Sequence, residues 1–193
     1  MKTEPLRVND GVGIWVDFDT ELWLYVPMAL PEGYSSPKKW AWDQAVSIGE
    51  QKHLEHADVV KLCKYLEHLA ESSNEFEHRF VLLNDLNLDV VNVTVMFEMG
   101  EEGSDISALL SNVEEDEYIV PFYSDNLGTG LKALRQQVKK RIFRDDHVVT
   151  QLLYAFLKDG LAITAHASHA ERDFLVEHEK EIDDLIKSVI AVA

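Results

Sequence analysis

Two pairs of histidines stand among carboxylates. His53 and His56 lie in EQKHLEH beside Glu50 and Glu55, and His166 and His169 lie in HASHAERD ahead of Glu171 and Asp173. Imidazoles three residues apart share one face of a helix, where they can ligate a metal or exchange protons with a neighbouring carboxylate. A catalytic zinc centre needs a third ligand and an open position. The HEXXH spacing that would announce one is absent. The chain holds 35 acidic residues, so a carboxylate near any histidine is expected by chance. These residues therefore read as solvated surface histidines. No metal and no cofactor are expected, and His166 and His169 are kept as the alternative ligand pair. Asp17, Asp19 and Glu21 crowd one turn and could serve as an acid–base pair, but the same argument from abundance removes their specificity. GXSXG, CXXC, the Rossmann fingerprint and RNA-binding aromatic motifs are all missing, so no residue is assigned as catalytic.

The second constellation is basic. GLKALRQQVKKRIFR, residues 130–144, carries six Lys or Arg and no acid, in a chain of formal charge −17. Leu131, Leu134, Val138 and Ile142 recur at helical spacing, which predicts an amphipathic helix with Lys132, Arg135 and Lys139 along one face and Arg141 near its end. Such a helix can bind an anion at its start, where SDNLGTG would present backbone N–H groups, although a Walker A spacing is absent. It can also dock an acidic partner, including a second copy of the chain. The first reading is internal pairing, because Glu171, Asp173, Glu177, Glu179, Glu181, Asp183 and Asp184 form a matching negative run near the C-terminus.

The third constellation is aromatic. Trp15, Trp23, Trp40 and Trp42 all fall early in the chain. Trp15 and Trp23 occupy the less apolar sides of their strands and are candidate groove residues for a partner. Packing within the core is the simpler use of all four.

The elements that would position these residues follow from periodicity. Residues 12–28 read as a β-hairpin turning near Asp19-Thr20. Ser36-Pro37 starts a helix that Gly49 stops or interrupts, and a second helix covers about 57–71, burying the lone cysteine, Cys63. Strands are predicted at 80–83 and 91–99, then an acidic connection with one helical turn. A strand at 118–123 follows, placed at an edge by Pro121. Apolar spacing then predicts helices over 131–142 and 147–158, a short strand over 161–167 and a helix over 169–192. A competing reading turns 154–167 into a hairpin at Asp159-Gly160.

With 193 residues, 46% hydrophobic, the chain can bury a sizeable core. Eighteen basic residues against 35 acidic ones repel nucleic acid and anionic membranes and favour a basic partner. One cysteine permits no internal disulfide, and neither a secretory leader nor a membrane-spanning run is visible. The expectation is an α+β chain: an antiparallel sheet packed by helices, with a helical C-terminal third. It would form one domain over 1–193, with a sub-boundary near 125–129. The functional expectation is a non-enzymatic interaction protein of the bacterial cytoplasm (adaptor, inhibitor, immunity-type or chaperone-like) that binds a protein partner or dimerises. The alternative is a small hydrolase or ligand-binding enzyme with a His/carboxylate site.

Overall fold

The computed structural model describes residues 1–3, 6–7, 13–73, 76–83, 90–100, 105–110, 116–141 and 144–192. It describes side chains over the same ranges except 6–7, 116–117, 137–141 and 144–147. Strands β1 (Leu6–Arg7), β2 (Gly13–Val16) and β3 (Trp23–Val26) precede helices α1 (Pro37–Lys52) and α2 (His56–Glu71). Strands β4 (Glu77–Leu83) and β5 (Val90–Met99) lead to a 3-10 helix, Ile106–Leu110. Four long strands follow: β6 (Asp116–Ser124), β7 (Gly128–Arg141), β8 (Arg144–Lys158) and β9 (Leu161–His169). Helices α3 (Arg172–Glu177) and α4 (Glu179–Lys187) and strand β10 (Val189–Val192) close the chain. The strands form a seven-stranded sheet, β3-β4-β5-β9-β8-β7-β6, and a three-stranded one, β1-β2-β10, with every pairing antiparallel.

The expected helical C-terminal third is overturned. Strands β7, β8 and β9 stand where helices over 131–142 and 147–158 were expected, and α3, α4 and β10 replace the helix expected over 169–192. The reason is burial on both faces. Leu134, Leu152, Tyr154 and Phe156 enter the main core, while Ala133 and Ala155 pack the other way against Leu110 of the 3-10 helix. A strand with apolar neighbours on both sides loses its period of two, and what remains imitates helical spacing. The stretch 131–141 is also rich in Leu, Ala, Lys, Arg and Gln, which favour helix until tertiary pairing overrides them. The turn between β8 and β9 is the Asp159-Gly160 hairpin, with φ of 51° and 78°, as a two-residue loop of that type requires.

The hairpin expected over 12–28 is also replaced. Its two strands part into different sheets, because β2 pairs with β10 and β3 with β4. The Asp17 N–H donates to the Ser188 carbonyl, which ties the chain's first segment to its last.

The main core lies between the large sheet and a second layer made by β2, β10, α3 and α4. Ile14, Val16, Leu175, Ile182, Leu185, Ile186 and Val189 supply that layer's apolar side. Helices α1 and α2 cover the opposite face at the β3–β4 end, where Val26 and Val81 meet Trp40, Ala45, Leu62 and Leu66. Helix α1 starts as expected: Ser36 Oγ accepts from the Lys39 N–H at 3.2 Å, and Pro37 follows. Gly49 lies inside α1 rather than ending it. A Cβ there would sit 2.5 Å from Val59 Cγ2, so its absence lets α1 and α2 approach closely. Alanine would gain about 1 kcal/mol of helix propensity and lose about 1–3 kcal/mol to overpacking. Gly49→Ala is thus expected to lower the unfolding free energy by about 1 kcal/mol, seen as a lower urea midpoint at unchanged slope.

Candidate functional site

Lys132 is consumed inside the chain. It sits on β7 with 4% exposure and faces α4. Its Nζ donates to Asp183 Oδ1 at 2.6 Å and pairs with the Glu179 carboxylate. The rings of Phe122 and Tyr154 stand 5.7 and 5.5 Å from the ammonium. The Tyr154 hydroxyl donates to the same Asp183 oxygen at 2.7 Å, and the Tyr118 hydroxyl donates to Glu179 Oε1 at 3.1 Å. Burial, reinforced by Glu179, pushes the Tyr118 phenol up to about 12. Burial and Asp183 push Tyr154 upward as well. Both phenols therefore remain protonated donors. Arg135 points to the other side of β7 and gives its Nε–H to Gln151 Oε1 at 2.8 Å. Lys139 and Arg141 belong to β7, but their side chains lie outside the described residues. Lys132, Arg135 and Lys139 do not make the single helical face that their spacing predicts, and Arg141 does not cap a helix end, because the segment is a strand.

The tryptophans do not assemble either. Trp23 is buried in the main core and Trp40 among α1 and α2. Trp15 is half-buried on β2, with Lys2 Nζ 3.6 Å from its ring centre. Trp15 and Trp23 thus line no common groove. Trp42 is 40% exposed.

His166 and His169 lie on β9, where alternation sends them to opposite faces of the sheet. His166 is registered between Thr94 and Leu153, and the ring of His169 packs 4.5 Å from Phe174. Helical sharing of a metal is therefore lost for this pair. Among the described residues, no three His, Cys, Asp or Glu converge as metal ligands.

The other histidine pair is brought together. A surface cleft of about 330 Å³ opens at the α1–α2 junction, lined by Trp42, Val46, Glu50, His53, Leu54 and His56. Three features of the sequence make it. Residues 42, 46, 50 and 53 recur at helical spacing and share one side of α1. Gly49 and Val59 let the helices close beneath it. His53 then turns the chain in the left-handed region, φ 55° and ψ 40°, with its N–H bonded to the Gly49 carbonyl. Glycine is the usual residue at such a cap, and a side chain there costs about 1 kcal/mol.

A functional-looking group that spacing does not announce is His78, fully buried on β4. Its Nε2–H faces the Ile14 carbonyl at 3.4 Å and Thr3 Oγ1 at 3.3 Å, while Nδ1 meets the Tyr25 hydroxyl at 3.1 Å. Burial pushes this imidazole down to about 4, against the raising effect of the bond to Ile14. Its alternation with Phe80 and Leu82 was the available clue to its inward placement.

Strand β6 ends the seven-stranded sheet, and among the described residues it has no strand neighbour on its outer side. Pro121 pairs with Leu131 of β7. Lacking an N–H, it must occupy a non-hydrogen-bonded position of that ladder, so residues 119, 121 and 123 turn their backbone polar groups outward. Ile119 (51% exposed), Pro121 and Tyr123 (61% exposed) present an apolar row on one side of this edge. The strand's sequence opens on Asp116-Glu117 and contains no Lys or Arg.

No protein family matches the chain, and no curated protein matches it. Among solved structures, the chain is similar to a protein of Bacteroides thetaiotaomicron VPI-5482, solved at 1.50 Å resolution. The two share 14% identity with a TM-score of 0.41, over 62% of this chain and 40% of that one. The chain thus spans less than half of that protein's length. No helix of the described residues is long and apolar enough to cross a membrane.

Proposed function

We propose that the protein is a non-enzymatic interaction protein of the bacterial cytoplasm that binds a basic, extended segment of a protein partner along β6. The observation that carries this reading is the β6 edge, unpaired on its outer side among the described residues, with Ile119, Pro121 and Tyr123 exposed on one side. An incoming strand would add its backbone to that edge and its apolar side chains to that row. Basic side chains suit an edge without Lys or Arg on a chain of charge −17. Pro121 biases the edge against a second copy of itself: a two-fold pairing centred there would lose a donor from both strands, whereas a foreign strand loses only one.

The test is a titration with a synthetic peptide of alternating lysine and valine. Binding is expected at low salt and should weaken about tenfold or more on raising ionic strength to about 0.5 M, as screening shortens the reach of the charges. Placing lysines at the edge, Ile119→Lys with Tyr123→Lys, should abolish it while the fold persists, since both side chains are exposed. Salt-independent binding, or full binding by the double variant, contradicts the reading.

A further inference from the structure

The cleft at the α1–α2 junction lies at the other end of the large sheet from β6 and is independent of it. We infer that it receives a planar cationic group, a guanidinium, carried by an arginine side chain. Its volume of about 330 Å³ is at the small end of ligand sites. Val46, Leu54 and Val59 give an apolar floor for a methylene stem, and Trp42 gives an exposed aromatic face on which a guanidinium stacks. Glu50 supplies the carboxylate that a guanidinium engages with two parallel bonds. His53 and His56 offer ring nitrogens at the same mouth. Among the described residues, no Lys or Arg lines the cleft to compete for Glu50. No hydroxyl or thiol side chain lines it either.

The backbone points to the same use. His53 occupies a left-handed cap where glycine would be unstrained. A residue held against its own conformational preference beside a cleft is a sign of function. Lysine fits less well than arginine, because its ammonium is compact, strongly hydrated and not planar.

The test uses the full chain and N-acetylarginine amide, followed by tryptophan fluorescence and calorimetry. Trp15, Trp23 and Trp40 are more enclosed than Trp42, so a response lost in Trp42→Phe reports the cleft. Saturable binding is expected, about tenfold weaker for N-acetyllysine amide and absent for the citrulline analogue, which keeps the shape and loses the charge. Glu50→Gln should weaken binding about tenfold. His53→Gly relieves the cap, so it should weaken binding at an unchanged or raised Tm. Equal binding of the citrulline compound, or wild-type affinity in Glu50→Gln or His53→Gly, overturns the inference. Neither result touches the β6 reading, whose variants and probe are separate.

Discussion

Replacing Lys132 with methionine is expected to lower the unfolding free energy by about 3–5 kcal/mol, the usual consequence of removing one partner from a buried ionic cluster. The Lys132 side chain is 5% exposed, and its ammonium pairs with Asp183 and Glu179, whose side chains are only 21% and 30% exposed. Without it, the two carboxylates would keep the hydroxyl donors of Tyr154 and Tyr118 and lose the ammonium that both of them pair with. An exposed ion pair would cost under about 1 kcal/mol to remove, so the size of the effect decides between an internal anchor and a solvent-facing lysine. The loss should fall first on α4 and on β10, which follows it in the chain. Methionine at 132 combined with Asp183→Asn and Glu179→Gln should recover most of the stability, because no charge is then left unpaired. Urea midpoints for the two variants and the wild type provide the comparison.

Acidification should destabilise the protein through His78. Its folded pKa is depressed to about 4, while an unfolded histidine titrates near 6.5. Between these values the unfolded chain binds a proton that the native state refuses, so stability falls as pH falls. The contribution is fully present above about pH 6.5 and is lost by about pH 4, amounting to about 3 kcal/mol. The cause is local. With Nε2–H turned toward Ile14, Nδ1 accepts from the Tyr25 hydroxyl; a proton on Nδ1 reverses that bond and places a charged ring where His78 is fully buried. His78→Phe should be less stable at neutral pH but should lack this part of the slope. Subtracting its urea midpoints from those of the wild type between pH 4 and 7 isolates the histidine from the carboxylates. A parallel pair of curves would mean that His78 stays solvated.

What the sequence made legible was local. Ser36-Pro37 marks a helix start because capping is a contact between neighbours, and the face Val91, Val93, Val95 and Phe97 marks β5 because its other side is polar. Pro121 marks an edge for the same kind of reason. The long strands β7 and β8 were hidden because Leu110 and the main core cover opposite faces of one strand, which erases alternation. The pairing of β2 with the C-terminus was equally hidden, since contacts across more than 170 residues leave no periodic trace.

The sites show the same division. An acidic counterpart for Lys132 was visible in Glu179 and Asp183, although the lysine reaches them from a strand rather than a helix. The residues of EQKHLEH were visible, but their convergence with Trp42 depends on the close α1–α2 approach at Gly49 and the left-handed turn at His53. The opposed faces of His166 and His169 follow at once from the strand, and could not be read while 161–167 and 169–192 were assigned to different elements.

The central claim is that β6 is the edge that receives a basic partner strand. Amide hydrogen exchange with and without the lysine–valine peptide tests it most directly. The outward N–H groups of Ile119 and Tyr123 should exchange more slowly when peptide is present at low salt, while those of β3, at the far edge, should not change. Binding that leaves β6 exchange unaltered, or protection confined to β3 or the α1–α2 junction, would contradict it.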